Sequence, residues 1–148
     1  MKKLFSALFL TGFLAFCPHT QAQQSQDFGE YVVHYNALNS NLIPPQVAKS
    51  YGIKRSSSQV LLNITLLKKV LDTPGTPTAA TIVASATNLT GQRREISIRE
   101  IKDSEGAIYY LGEFPVHNME TFNFVVEATP KGEDQALVVK FLQQFYTE

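Results

Sequence analysis

Residues 59–67, QVLLNITLL, decide the fold. Val60, Leu62, Ile64 and Leu66 alternate with Leu61, Asn63, Thr65 and Leu67. Strict alternation of this kind is the period of an extended strand. Leucines on both sides place the strand centrally, because an edge strand with one wet face carries apolar residues on one side only.

Working outward, the same period recurs at short intervals. Upstream, residues 30–36 read as a strand, with Tyr31, Val33 and Tyr35 on one face and Val32, His34 and Asn36 on the other. Between the two runs lies ALNSNLIPP, of loop character, and then PQVAKSY, residues 45–51. Pro45 suits the first position of a short helix and Gly52 its close. Two turns of helix stand only by packing on something larger.

Downstream, DTPGTPT (72–78) is a loop, since two prolines and a glycine cannot continue a central strand. Strands are expected over residues 80–88, 94–102, 107–114 and 122–129, with a last inward row of Leu137, Val139 and Phe141. Ile96 and Ile98 point inward, and residues 107–114 are apolar on both faces, so that strand too is central. Residues 88–91, 102–106, 115–120 and 130–134 turn the chain. The expectation is an all-β fold of about seven antiparallel strands, a sandwich or small barrel and most like an immunoglobulin-type sandwich. The Cys–Trp–Cys core of antibody domains is missing, because the chain has one cysteine and no tryptophan.

The amino terminus reads as a secretory leader. Lys2 and Lys3 precede a 13-residue apolar run, LFSALFLTGFLAF (4–16), and Thr20-Gln21-Ala22 ends on a small residue before a polar QQSQ. The run is short of the ~20 residues that span a bilayer. Cleavage after Ala22 leaves 23–148 as a single domain, with 23–27 a flexible start. Lipid attachment at Cys17 is disfavoured by Phe16 before it and Pro18 after it. Without Cys17 the exported chain has no disulfide and no thiolate, so its core alone must hold it.

Charge excludes further classes. Loss of Lys2 and Lys3 leaves 11 basic against 13 acidic residues, and the basic ones come as pairs (Lys54-Arg55, Lys68-Lys69, Arg93-Arg94). Nucleic-acid binding has no footprint here. There is no nucleophile elbow, no S-x-x-K and no phosphate-cradling glycine pattern, so no catalytic residue and no cofactor is assigned. A metal site would draw on His34 and His117, the two histidines of the exported chain, but neither sits in a ligand cluster. Asn63-Ile64-Thr65 and Asn88-Leu89-Thr90 match the glycosylation sequon, the first in mid-strand. Tyr31, Tyr35, Tyr51, Tyr109 and Tyr110 can line a binding face, or else edge the core with their hydroxyls in water.

FGEYVVHYNALNS (28–40), VAKSYGIKRS (47–56), LLNITLLKK (61–69), NLTGQ (88–92), IREI (98–101) and AIYYLGEFPV (107–116) together resemble the bacterial family called domain of unknown function 4426. The resemblance spans nearly all of the exported chain. It implies a periplasmic protein of a Gram-negative bacterium, implies no activity, and points to His34, Tyr35 and Asn36 as candidate binding positions. The expected role is a non-enzymatic interaction module of the cell envelope, meeting a protein or small ligand there. The irregular stretch from Leu38 to Ser58 would be one end of its binding surface. A small-ligand or metal-binding protein is the alternative, and a hydrolase using His34 or His117 ranks last.

Overall fold

The computed structural model describes residues 24–148. The reading of residues 1–22 as a leader, with Cys17, lies outside the described residues. Among the described residues ten strands form, labelled in chain order: β1 Gln24–Asp27, β2 Tyr31–Asn39, β3 Gln59–Lys68, β4 Thr76–Pro77, β5 Ala80–Asn88, β6 Arg93–Ile96, β7 Ile98–Lys102, β8 Ile108–Pro115, β9 Glu120–Pro130 and β10 Leu137–Phe145. One α-helix, α1, covers Pro45–Tyr51, preceded by a 3-10 turn at Ser40–Leu42.

The strands make two antiparallel sheets. One runs β1-β2-β3-β8-β7, with β4 also paired to β3; the other runs β10-β9-β5-β6. Taking β2, β3, β8 and β7 as A, B, E and D, and β5, β9 and β10 as C, F and G, this is the immunoglobulin arrangement, with β6 added beside C. As the alternation implies, β3 and β8 are interior strands: β3 lies between β2 and β8, and β8 between β3 and β7.

The inner rows of both sheets meet in one core. Val33, Val60, Leu62, Ile64 and Leu66 from the first sheet face Phe122, Phe124, Val126 and Val139 from the second, all essentially inaccessible to water. Ala86 pairs with Phe124 and Ala84 with Val126, so small residues on β5 leave room for large ones on β9. Phe114 reaches across to Phe122 and Phe124 at ring separations of 5.4 and 5.7 Å, both edge-to-face.

Three elements differ from the expectation. Residues 94–102 are not one strand: the chain leaves the second sheet after Ile96 and joins the first at Ile98. Alternation is blind to this change, because an inward isoleucine on each side of Ser97 is inward to the same core. The crossing is crowded, and a β-carbon on Gly112 of β8 would stand 2.4 Å from Ile96 Cγ2 and 2.7 Å from Ile98 Cδ1. Residues 24–27, expected to be flexible, pair with β2 through their backbone alone while all four side chains stay exposed. The loop at 72–78 holds the two-residue β4.

The helix follows its sequence signals. Pro45 opens it, and Gly52 closes it in the left-handed region at φ 63°. The Gly52 N–H bonds the Lys49 carbonyl and the Ile53 N–H bonds that of Ala48, the paired closure of a Schellman motif.

Candidate functional site

The irregular stretch expected from Leu38 begins later, because Leu38 and Asn39 still pair with β3 as the end of β2; the chain leaves the sandwich at Ser40, folds α1 and returns to β3 after Ser58. Pro44-Pro45 forbids further strand pairing and starts the helix. The base of the excursion is clasped by Ser40, which is fully buried. Its hydroxyl donates to the Lys54 carbonyl at 2.6 Å and accepts from the Ser56 N–H at 3.0 Å. Arg55 adds two bonds of 2.8 Å to the carbonyls of Ile43 and Asn41. Asn39 Nδ2 bonds the carbonyls of Ser57 and, near the chain end, Tyr146.

So held, the insert lies over the outer face of the first sheet. Ala48 and Ile53 pack on Leu61 and Leu111 in a second apolar cluster, separate from the sandwich core. This explains the leucines on both faces of β3: the inner row meets the other sheet, and Leu61 meets the insert.

The contact is not flush. A cavity of about 320 Å³ remains between insert and sheet. Ile43, Val47, Tyr51 and Ile53 line it from the insert; Leu61, Asn63, Ile101, Tyr109 and Leu111 line it from β3, β7 and β8. The rings of Tyr51 and Tyr109 lie with centroids 6.2 Å apart, tilted at 48° to each other. Burial, reinforced by the nearby acidic Asp103, by Tyr51 and by Glu105, pushes the Tyr109 phenol above its usual range, so it stays neutral. No lining side chain carries a charge.

One polar group stands out. Asn63 Oδ1 is buried and has no hydrogen-bond partner. Asn63 pairs with Asn36 on one side and Leu111 on the other. Two residues along, His34 pairs with Thr65 and Ser25, and its Nδ1 is likewise buried without a partner. Buried polar atoms in folded proteins are normally hydrogen-bonded, so two exceptions on one sheet face mark that face.

The candidate residues are distributed as follows. His34 and Asn36 share this outer face; Tyr35 points the other way, its ring 4.7 Å from Phe141 at the core. His117 lies in the β8–β9 turn. The neighbouring Val116 N–H bonds the Ser58 carbonyl, whereas His34 pairs with Thr65. At about 3.3 Å per residue, that spacing along the chain separates the histidines by roughly 20 Å. Among the described residues no three His, Cys, Asp or Glu side chains gather as a metal would require. The His34 Nδ1 has no hydroxyl bonded to it, and His117 meets Glu120 through its backbone N–H and not its ring.

The tyrosines divide. Tyr51 and Tyr109 flank the cavity, while Tyr31 and Tyr110 are buried in the core. The Tyr110 hydroxyl is held inside the protein by Glu100 and Ala80, not by solvent. Of the sequon asparagines, Asn63 faces the cavity, and Asn88 Nδ2 is engaged by Gln92 and Glu120.

Nothing in the sequence alone marks Val47 as a site residue, and Asn63 carries no motif beyond its sequon. The signal for Asn63 was present: it is a polar residue on the outward row of a strand whose outward leucine has to be covered.

No described helix is long and apolar enough to cross a membrane. The model of the family "domain of unknown function (DUF4426)" matches residues 25–148. The crystal structure of a DUF4426 family protein from Pseudomonas aeruginosa PAO1, at 2.09 Å resolution, is similar. It has 34% sequence identity and a TM-score of 0.73 over 84% of this chain and 95% of that one. No curated protein matches the chain. With the family model covering nearly every described residue and the fold shared at this identity, the chain belongs to the DUF4426 family.

Proposed function

We propose that this protein is a non-enzymatic binding module of the cell envelope. Its binding surface is the outer face of the first sheet, where the insert Ser40–Ser58 covers it. One observation carries the reading: the insert adds nothing to the sandwich core and encloses instead a cavity against the sheet, beside polar atoms that the fold leaves unpartnered. Rigid sandwiches commonly present their binding residues on such loops. The envelope destination rests on the leader features of residues 1–22, and the periplasm on the family resemblance.

The test is site-specific photo-cross-linking in intact cells. A photoreactive residue at Val47, exposed at the rim of the cavity, is compared with one at Val83, exposed on the outer face of the other sheet. A discrete adduct from position 47 and none from position 83 is expected. Identical patterns at the two positions, or no adduct at either, overturn a macromolecular partner on this face. Osmotic-shock fractionation tests the destination, with release of the protein alongside periplasmic markers as the expected result.

A further inference from the structure

The cavity under α1 is specific enough to name a ligand chemistry. Its volume of about 320 Å³ sits at the lower end of the range for small-molecule sites, room for one ring system or a short branched chain. Its walls are aliphatic and phenolic, and none is charged, so a charged ligand would lose its hydration without compensation. Ile53, Leu61 and Leu111 are buried, and Val47 is the lining residue that stands most in solvent, at 41% exposure. The cavity therefore has a buried floor and a half-open mouth, between a closed void and a flat docking patch. Asn63 supplies one directional feature: the residue lines the cavity, and its amide oxygen, shut off from solvent and without a donor, gains one if the side-chain amide turns toward the cavity about its soft terminal torsion.

We propose that this cavity binds a small uncharged molecule with an apolar ring or branched chain and a single N–H or O–H group, which donates to Asn63 Oδ1 once the side-chain amide has turned toward it. The proposal rests on the reading that the face covered by the insert is the binding surface, and it narrows that reading to a small ligand.

Two-dimensional ¹H–¹⁵N NMR of the purified protein provides the test, with indole and 1-methylindole as probes. The two share a ring system, and only the first carries a donor. Saturable shifts are expected at the backbone amides of residues 47–53, 61–63 and 109–111. Indole is expected to bind about threefold to tenfold more tightly than 1-methylindole, the worth of one net hydrogen bond. Asn63→Leu is expected to abolish that preference. Val47→Trp, at an exposed helix position, is expected to fill the cavity and remove the shifts from both probes. It also decides the matter if Asn63→Leu fails to fold.

No saturable shift with either probe up to about 10 mM overturns the proposal. So does a preference for indole that survives Asn63→Leu, or binding undisturbed by Val47→Trp. A silent cavity combined with a discrete cross-link from position 47 overturns the small-ligand inference and leaves the binding face standing. Probe binding combined with no cross-link supports the inference and counts against a macromolecular partner.

Discussion

The Tyr110 hydroxyl accepts a 2.7 Å hydrogen bond from the backbone nitrogen of Ala80, which belongs to the opposite sheet. It donates in turn to Glu100 Oε2 at 2.9 Å, on the neighbouring strand of its own sheet. One buried phenol thus fastens β5 to β7 and β8. Tyr110→Phe keeps the ring and leaves the Ala80 N–H without this partner. A loss of about 1–3 kcal/mol is expected in urea unfolding, at unchanged m-value. A variant as stable as the parent would show that the bond fastens nothing. Burial raises the Tyr110 pKa above 10.0, the Ala80 bond opposes this, and the bond to Glu100 adds to it. A raised pKa stabilises the fold fully below 10.0, and the contribution fades as pH climbs past that value.

Glu120 organises the opposite end of the sandwich. It accepts from Asn88 Nδ2 at 3.0 Å and from the His117 N–H at 2.9 Å, with Arg94 at 3.8 Å. Burial pushes this carboxyl up, but the two hydrogen bonds and the charges of Arg94 and His117 outweigh it and hold it below its usual 4.5. A depressed carboxylate stabilises the fold above 4.5 and ceases to as pH falls through its lower folded value. Thermal unfolding of Glu120→Gln between pH 7 and about pH 3 is expected to show a lower Tm at pH 7 and a shallower decline in acid. Parallel profiles for the parent and the variant would contradict this role.

Gly112 is expected to tolerate no side chain. Its absent β-carbon would fall 2.4 Å from Ile96 Cγ2, and Ser97 O is 3.3 Å away, at the point where the chain changes sheets. Gly112→Ala forces either β8 or the crossing to shift. The expected cost is about 1–3 kcal/mol, measurable as a lower denaturant midpoint. A stability gain, as for alanine at an unstrained glycine, would mean that the crossing yields freely.

The Ser40 clasp governs the insert and not the sandwich. Ser40→Ala removes a buried hydroxyl and leaves the Lys54 carbonyl and Ser56 N–H without it, at an expected cost of about 1–3 kcal/mol. Hydrogen exchange is expected to quicken over residues 40–56 and to stay slow in β3 and β9. Uniform acceleration throughout the domain would show that the insert and the sandwich open together.

Much of this architecture was legible in residue order. Tyr31, Val33 and Tyr35 do share the inner face of β2, and Pro45 and Gly52 do bound the helix. Such signals are local: a dihedral preference or a side-chain period acts within a few residues. The strand at 24–27 was illegible for the complementary reason. Its pairing with β2 is made by backbone groups that every sequence carries, so QSQD leaves no trace in composition.

Sequence alone therefore determined the strand periods, the interior places of β3 and β8, the helix and its ends, and the family likeness. Tertiary structure alone decided that the chain changes sheets at Ser97, that His34 and Asn36 share a face while His117 lies at a distance, and that Asn63 meets a cavity. Each of these depends on register between segments far apart in the chain, such as Asn63 beside Leu111 and α1 above both. Register is set by the whole packed core and is written in no single stretch of it.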